Sequence, residues 1–456
     1  MTETIDRAFH DLGDRIAGDV VVPDDAAWAT AKHAWNLAVD QRPVAIVYPE
    51  STDDVVATVR FAGEHGIGIA FNAGGHNAGT IDWDRDALLL KTERMRGIEV
   101  DPRAHRARVE AGVLAKTLAV AAGEHGLAYL AGTAPDVGVF GYALGGGLSW
   151  MVRRYGLACN SIVSAEVVTA DGRSRRVDRD TEPDLFWAIR GGSGNVAAVT
   201  SIELELVPVA EIYAGTLFWP IERAAEVLKA WGAWIDTVPE TCESLGRMLQ
   251  LPDVPFLPEE MRGRSFALIE AAILGPEADA AALVAPLRDL GPVMDTMTTM
   301  PTSELSVVNM DPDFPLPYAG DGAFLDDLPA AAFDRLVEAF VGSPLLHVEI
   351  RQLGGAAAVH SPEHGVLDAI DQPFVLFTFG LAPEAEHTAA VEVAAERVLE
   401  ALRPWDSGRR YLNFAETRVN PRTIFPPESF ERLLAVKRRY DPDDRFRANH
   451  PVTRRG

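Results

Sequence analysis

The chain has 456 residues and carries 42 basic against 67 acidic side chains, a formal net charge of −25. A surface of this sign repels phosphate backbones and anionic lipids, which argues against nucleic acid and membrane partners. The first twenty residues lack the apolar segment of a secretory signal, and two cysteines, Cys159 and Cys242, cannot form a disulfide framework. We therefore expect a cytoplasmic protein. No metal site is expected, because neither an HExxH nor a CxxC motif occurs.

The first 210 residues alternate short apolar strands with helices, a mixed α/β pattern with short connections. Residues 43–48 (PVAIVY) predict a buried strand, and the helix that follows should be capped by Ser51 and ended by Gly66. Ile67, Ile69 and Phe71 then alternate as a further strand. The pattern repeats with strands near 88–90 and 108–110 and a helix over 114–124.

Residues 211–405 combine long amphipathic helices with apolar runs, which is typical of one antiparallel sheet with helices on one face. The proline-rich stretch 310–322 predicts an ordered loop or lid. After Tyr411 the chain returns to loop and helix. The predicted helices of the central region are 221–238, 278–290, 331–341 and 386–402, and the predicted strands are 265–274, 345–353 and 374–379.

Two glycine clusters hold most of the functional information, FNAGGHNAG (71–79) and GTAPDVGVFGYALGGGLSW (132–150). Small residues directly after a strand let several backbone N–H groups converge on an anion, and they let backbone approach a flat ligand closely. A Walker loop is excluded because no GK[ST] triplet occurs, and the spacing of 138–147 does not match a Rossmann GxGxxG. Taken alone, each cluster could also be a pair of tight turns at strand ends.

Six motifs, in order, resemble the berberine-bridge-enzyme-type oxidoreductases of the vanillyl-alcohol-oxidase/p-cresol-methylhydroxylase superfamily, and among them the bacterial 6-hydroxy-D-nicotine-oxidase-like members. The resemblance spans residues 40–205 and 405–452. It implies an α+β fold: a two-subdomain FAD-binding domain of p-cresol-methylhydroxylase type (1–210 and 406–456), and a substrate domain (211–405) with an antiparallel sheet covered by helices. The motifs are AGGHN, TAPDVGVFGYALGGG, RRYGL, VVTADG, DLFWAIRGG and YDPDDRFRANH.

The resemblance implies that His76 bonds covalently to the 8α-carbon of FAD. A neutral imidazole is a competent nucleophile near pH 7, and flanking glycines admit the ring edge. The alternative is a histidine that only hydrogen-bonds within its loop. Relatives that carry a second, cysteinyl link have a cysteine where this chain has Ala134, so we expect a single attachment. The cofactor-binding residues that the resemblance implies are Asn72, Ala73, Gly74, Gly75, His76, Asn77, Gly132, Thr133, Asp136, Val137, Gly138, Gly141, Tyr142, Gly146, Gly147, Val199, Asn413 and Asn449.

Val137 matches the position that gates dioxygen in relatives, where a valine resembles an oxidase and a leucine a dehydrogenase. A valine beside a glycine loop could equally be a packing residue. Two departures from the family weaken the prediction for the adenine end of the site: Ser149 replaces a glycine, and residues 195–198 read Asn-Val-Ala-Ala.

On the substrate side, the predicted strand LLHVEIRQLGG places His347, Glu349 and Arg351 on one face and apolar residues on the other. Similar segments in relatives carry a glutamate near the substrate, so Glu349 is the expected general base and Arg351 a substrate contact. Tyr411 is the rival base, although an ordinary tyrosine pKa near 10 requires activation. Tyr318 is a further candidate substrate contact. The alternative is a solvent-facing strand with a simple Glu/Arg pair.

These observations predict an FAD-dependent oxidase that oxidises a small alcohol, amine or hydroxylated ring by hydride transfer to flavin N5, with O₂ as acceptor. Three alternatives stay open: a dehydrogenase on the same fold, a flavin-dependent cyclase of secondary metabolism, and a redox-silent flavin-binding protein. The substrate and the oligomeric state are not encoded in any motif of the chain.

Overall fold

Three β-sheets organise the chain in the computed structural model, which describes residues 2–83, 86–255, 259 and 261–453. The helices are α1 (Thr2–Gly13), α2 (Trp28–Ala31), α3 (Thr52–His65), α4 (Ala115–Gly123), α5 (Val139–Leu144), α6 (Val152–Tyr155), α7 (Pro183–Ile189), α8 (Ala224–Ile235), α9 (Glu277–Arg288), α10 (Ala330–Phe340), α11 (Ala385–Leu402), α12 (Pro421–Ile424) and α13 (Pro427–Tyr440). Among the described residues, none of these helices is long and apolar enough to cross a bilayer.

The first sheet is mostly parallel and has the order β1-β2-β4-β3-β18. The helix α3 that follows β2 begins where Ser51 accepts a hydrogen bond from the Asp54 N–H, and ends at Gly66 with φ +67°, as the sequence predicts. Because β18 pairs with β3, the tail of the chain joins the sheet of the N-terminal segment. Its strands are β1 (Asp19–Val21), β2 (Ala45–Tyr48), β3 (Gly68–Asn72), β4 (Ala87–Lys91) and β18 (Phe446–Arg447).

The second sheet is antiparallel and has the order β5-β6-β9-β7-β8. Helices α4, α5, α7 and α13 pack with it in one apolar core that includes Leu118, Phe140, Leu185 and Leu433. Its strands are β5 (Ile98–Asp101), β6 (Arg106–Glu110), β7 (Ile162–Val168), β8 (Ser174–Asp178) and β9 (Ala198–Glu205).

The third sheet is antiparallel, has the order β13-β10-β12-β11-β16-β17-β15, and takes up β14 beside β10. Helices α8 to α11 cover one face, where Met248 and Ile350 belong to the same apolar core as Trp231 and Phe333. Because side chains alternate along a strand, their neighbours Arg247 and Glu349 face the opposite side. The strands are β10 (Glu211–Pro220), β11 (Cys242–Gln250), β12 (Ser265–Ile273), β13 (Met294–Asp295), β14 (Thr298–Pro301), β15 (Tyr318–Leu325), β16 (His347–Gln352) and β17 (Phe374–Leu381).

The mixed α+β fold with a helix-covered antiparallel sheet agrees with the sequence prediction, but the central sheet has strands that the sequence did not suggest. The prediction of a continuous loop over 310–322 is wrong, since Tyr318 already begins β15 and pairs with Leu381. β11 was missed because its sequence, CESLGRMLQ, carries a glycine and charged residues that are unusual in a buried strand. Gly246 is required there, because a Cβ would lie 2.9 Å from side-chain atoms of Leu228 and Trp231.

Candidate active site

A cavity of about 660 Å³ lies between the two glycine clusters and the free face of the central sheet. Its walls come from the loop after β3, from residues 132–142, from β11, β16 and β17, and from the tail segment 411–416. Most of its surface is apolar, with aromatic rings of Phe377, Phe379 and Phe414 among the lining residues. The cavity is therefore suited to a large, partly flat ligand.

The two glycine clusters are in direct contact, and this contact explains why glycine is needed. A Cβ on Gly138 would overlap the carbonyl oxygen of Ala73. Gly75 has φ +92°, a left-handed conformation, and a Cβ there would lie 2.8 Å from Asn72 Nδ2 and 3.0 Å from the Trp35 backbone nitrogen. At both positions the backbone packs so closely at the cavity wall that a side chain would collide with neighbouring protein atoms.

The loop after β3 presents unused hydrogen-bond donors. Within the part of the chain that the structure describes, the backbone N–H groups of Gly75, His76 and Asn77 donate to no protein acceptor. Asn72 is 5% exposed, and its Nδ2 is buried without a partner while its Oδ1 accepts from the Gly74 N–H. Buried donors are normally satisfied, so this loop fits an anionic group such as the diphosphate of a dinucleotide.

His76 is held by two residues from other segments. Its ring stacks on Trp35, with centroids 4.0 Å apart and an interplanar angle of 17°. Its Nε2 lies 3.5 Å from Asp136 Oδ1, and both atoms are buried without a hydrogen bond. Trp35 Nε1 donates to the other carboxylate oxygen, Oδ2 of Asp136. The three side chains form one unit at the wall of the cavity.

On the sheet side, Arg247 organises a buried polar cluster. Its Nε donates to His347 Nδ1 at 3.0 Å, and its Nη1 donates to Glu270 Oε1 at 3.2 Å and to the carbonyl of Asn309 at 2.7 Å. Burial, reinforced by the arginine charge, lowers the pKa of His347 well below 6.5, so this ring is neutral near pH 7. Burial raises the pKa of Glu270 to about 8, with Arg247 opposing the rise.

Glu349 and Arg351 of β16 form the part of this cluster that continues toward Phe414 on the cavity wall. Glu349 Oε1 accepts from Arg351 Nε at 2.8 Å and from Nη2 at 2.6 Å. Glu349 is 1% exposed, and its second oxygen, Oε2, lies 3.9 Å from His347 Nδ1 and makes no hydrogen bond to any described residue. Arg351 also lies over the ring of Phe414, 5.1 Å from its centroid. The carboxylate is therefore fixed through one oxygen and has a free acceptor on the other.

Tyr411 and Tyr318 are each bound to neighbouring groups. The Tyr411 hydroxyl accepts from the Gly147 N–H at 2.8 Å and from Asn413 Nδ2 at 3.2 Å, and burial raises its pKa well above 10. The Tyr318 hydroxyl contacts the His76 carbonyl at 2.7 Å and Glu416 Oε1 at 3.0 Å. Burial raises the pKa of Glu416 to about 8, so the Glu416 carboxyl that contacts Tyr318 is protonated near pH 7.

Most of the residues predicted from the sequence meet at this cavity. The lining includes Asn72, Ala73, Gly74, Gly75, His76, Asn77, Gly132, Thr133, Val137, Gly138, Gly141, Tyr142, Asn413, Asn449, Tyr318, Glu349, Arg351 and Tyr411. The prediction that Glu349 could lie on a solvent-facing strand is excluded by its burial.

Four predicted residues do not line the cavity. Asp136 contacts His76 but is not itself part of the cavity wall, and Val199 pairs with Val167 inside the second sheet. Gly146 (φ +132°) and Gly147 (φ +80°) lie behind the wall, where a Cβ on Gly146 would collide with Tyr411 and Leu367, and one on Gly147 with Ala158. These two glycines allow the tail to pack closely, which the sequence did not distinguish from contact with a ligand.

Several cavity residues were missed from the sequence. Arg247 was missed together with β11, since Glu243, Leu245 and Arg247 on its face mix charged and apolar side chains and do not repeat the polar face of β16. Trp35, Asn309 and Asp311 give no signal in the sequence, because they lie in irregular segments far from the glycine clusters.

Comparison with known proteins agrees with this architecture. The FAD binding domain family matches residues 43–178, and the berberine and berberine-like family matches residues 410–453. (R)-6-hydroxynicotine oxidase of Paenarthrobacter nicotinovorans is 29% identical over 97% of this chain and 98% of its own. Glucooligosaccharide oxidase of Sarocladium strictum is 34% identical, over 46% of this chain and 43% of its own.

Solved structures share the whole fold. The crystal structure of 6-hydroxy-D-nicotine oxidase from Arthrobacter nicotinovorans has a TM-score of 0.82 at 25% identity, covering 96% of this chain and 98% of its own. Physcomitrella patens BBE-like 1 has a TM-score of 0.85 at 20% identity, covering 98% and 99%. The chain is an FAD-dependent oxidoreductase that is similar in sequence and fold to the berberine-bridge-enzyme-like proteins.

Proposed function

We propose that the protein is an FAD-dependent oxidase whose flavin is attached covalently to His76 alone and which oxidises a small organic molecule carrying an O–H or N–H group. The observation that carries the proposal is the placement of His76 and Glu349 on the walls of one cavity. When bound, FAD supplies the two-electron acceptor, and dioxygen regenerates its oxidised form.

The residues of this chain suit FAD. The unused N–H groups of Gly75, His76 and Asn77 would hold the diphosphate, and the close packing of Gly75 and Gly138 against neighbouring protein atoms keeps this backbone at the cavity wall. The position of a second covalent link is Ala134, which lines the cavity and has no nucleophile. The cavity wall therefore supplies one covalent bond to the flavin, through His76.

Glu349 is better suited than Tyr411 to take the substrate proton. Its Oε1 is fixed by two N–H groups of Arg351, and its Oε2, 3.9 Å from His347 Nδ1, keeps an unused acceptor on a residue that lines the cavity. Tyr411, by contrast, uses its oxygen to accept two hydrogen bonds, and burial raises its pKa well above 10, so it stays protonated. Glu349 would accept the proton of the substrate O–H or N–H while the adjacent C–H bond is oxidised.

The substrate class follows from the rest of the wall. Phe377, Phe379 and Phe414 offer flat apolar surface, and Arg351 is already paired with Glu349. An uncharged molecule with a ring or chain that packs on these aromatic side chains, and one hydroxyl or amine directed at Oε2, matches this surface. Two relatives are named (R)-6-hydroxynicotine oxidase and glucooligosaccharide oxidase, and both names denote substrates that carry rings and hydroxyl groups.

We also propose that residues 211–405 form the substrate-binding unit, and that residues 1–210 with 406–456 form the FAD-binding unit. Two structural features support this division: β18 of the tail joins the sheet of β3, and the Glu349 face of the central sheet closes the cavity from the opposite side.

The first experiment is flavin fluorescence of the denatured protein band in an acid-treated gel, for wild type and His76→Ala. We expect a fluorescent wild-type band and a dark variant band. A dark wild-type band from a yellow native protein would overturn covalent attachment, and the absence of any flavin after FAD is added would overturn the enzyme assignment. Oxygen uptake with a panel of alcohols, amines and hydroxylated rings then separates an oxidase from a dehydrogenase.

A further inference from the structure

We propose that Asp136 is a positioning residue for self-attachment of the flavin: its carboxylate holds the Nε2–H of His76 and so leaves the Nδ1 lone pair as the nucleophile. The proposal rests on the covalent attachment proposed above and adds the residue that selects the reacting nitrogen. Asp136 contacts Trp35 and His76, and no hydrogen bond or ion pair of the described residues joins it to Glu349.

The geometry at His76 distinguishes the two ring nitrogens. Nε2 is buried and lies 3.5 Å from Asp136 Oδ1, and neither atom has another partner among the described residues. The His76 side chain is 23% exposed, so its accessible part lies elsewhere on the ring. Nδ1 makes no hydrogen bond to any residue that the structure describes. A carboxylate facing Nε2 at 3.5 Å would stabilise a proton on that nitrogen, which favours the tautomer whose lone pair is on Nδ1.

Trp35 makes this arrangement rigid. Its ring stacks on His76, and its Nε1 donates to Asp136 Oδ2, so one side chain orients both members of the pair. Because Trp35, His76 and Asp136 come from three separate segments, the unit forms only in the folded chain. A carboxylate that orients a histidine and increases the basicity of its other nitrogen is a common arrangement, and loss of such a partner typically costs 10- to 100-fold in function, as measured in metal sites.

Attachment of the flavin forms one C–N bond and breaks one C–H bond. A bond forms between His76 Nδ1 and the 8α-carbon of the flavin, one C–H bond of that methyl group breaks, and its proton leaves. Asp136 accepts the Nε2 proton as the alkylated ring becomes cationic. The two electrons of the broken C–H bond reduce the isoalloxazine, and dioxygen, the proposed acceptor of the enzyme, takes them together with the two protons as hydrogen peroxide.

The test uses full-length apo-protein from riboflavin-limited cells, to which FAD is added, and it measures covalent flavin against time in denatured samples. Non-covalent FAD affinity is measured separately by quenching of flavin fluorescence. We expect Asp136→Asn to slow attachment roughly 10- to 100-fold with little change in affinity. The amide can still accept from Trp35, but its NH₂ group would donate to Nε2 and so favour the proton on Nδ1.

Trp35→Phe is the matched variant, since it keeps a ring against His76 and removes the donor to Asp136. We expect slower attachment than in wild type but faster than in Asp136→Asn, and Asp136→Glu should restore part of the rate. If Asp136→Asn does not fold, Trp35→Phe decides by the same measurement.

Three outcomes are unfavourable, and they differ. Wild-type rates in Asp136→Asn and Trp35→Phe would overturn the role of Asp136 while covalent attachment stands. Loss of FAD affinity without a separate effect on the rate would make Asp136 a binding residue only. A wild-type protein that stays non-covalent, like His76→Ala, would overturn the attachment itself.

Discussion

The hydroxyl oxygen of Tyr411 accepts a hydrogen bond of 2.8 Å from the backbone N–H of Gly147. This bond joins the tail of the chain to the end of the second glycine cluster, and it is made inside the protein, since Tyr411 is 2% exposed. The second donor on the same oxygen is Asn413. Tyr411 therefore acts as a fixed acceptor that orders the cavity wall, which is a different task from removing a proton.

Tyr411→Phe tests this assignment. The substitution leaves the Gly147 N–H buried without its acceptor, so the free energy of unfolding should fall by about 1–3 kcal/mol. Because Glu349 remains, anaerobic reduction of the flavin by substrate should slow by less than about tenfold. Urea unfolding and rapid-mixing absorbance measure the two effects. A much larger loss of rate at unchanged stability would make Tyr411 the base.

Glu349→Gln should abolish most of the chemistry without loss of flavin. The amide keeps the shape of the side chain but cannot accept a proton, so the rate of flavin reduction should fall by roughly 10²–10⁴-fold. Glu270→Gln is the matched control: it is equally buried and close to Arg247, and its pKa is raised to about 8, so an amide resembles its protonated form near pH 7. Equal losses in both variants would argue for a general effect of the cluster.

Gly138→Ala and Gly141→Ala separate two uses of glycine at the cavity. A Cβ on Gly138 overlaps the Ala73 carbonyl oxygen, so this variant should unfold at lower temperature even without FAD. A Cβ on Gly141 meets no protein atom within 4 Å, so this variant should keep the stability of the apo-protein and lose FAD affinity only if the ligand lies against it. Thermal unfolding with and without FAD measures both. Equal apo-protein stability for wild type and Gly138→Ala would contradict the contact.

Val137→Leu tests the oxidase proposal. Val137 lines the cavity next to Gly138, and the larger side chain should restrict the approach of dioxygen to the flavin. We expect reoxidation of the reduced protein by air to slow about tenfold or more, while anaerobic reduction by substrate changes little. Rapid mixing of substrate-reduced protein with aerated buffer gives the rate. If wild type already reoxidises no faster than free reduced flavin, the dehydrogenase alternative is favoured.

The stability of the protein should depend on pH through Glu243. Burial raises the pKa of this carboxyl to about 8, although Arg153 and Arg351 oppose the rise, and its Oε2 has no partner. Between its ordinary pKa of 4.5 and about 8, the folded state holds a proton that the unfolded state has lost, so stability falls as the pH rises through this interval. Above about pH 8 both states are ionised and the contribution stops changing.

Glu243→Gln should flatten this dependence. The variant and wild type should unfold at similar temperatures near pH 5, and the variant should be the more stable one near pH 8, because the amide never ionises. Thermal unfolding at a series of pH values provides the comparison. Glu270 and Glu416 have pKa values raised to about 8 by burial as well, so part of the slope should remain. A slope identical to that of wild type would contradict the assignment to Glu243.

The sequence by itself determined the features that depend on local chemistry. Ser51 and Gly66 bound a helix because a hydroxyl acceptor and a residue free to adopt positive φ are needed at its two ends. The alternation of β16 assigned Glu349 and Arg351 to one face, since strand side chains point to opposite sides in turn. The glycine clusters, with their ordered motifs, indicated the flavin loops.

Only the tertiary structure decided which distant residues meet. Trp35, His76 and Asp136 lie on separate segments, and the Arg247–Asn309 contact spans 62 residues. It also decided that Gly146 and Gly147 contact Tyr411 of the tail, while Gly138 packs on Ala73 at the cavity wall. No local pattern specifies such pairs. The packing of the three sheets determines the distance between the partners, whereas their spacing along the chain does not.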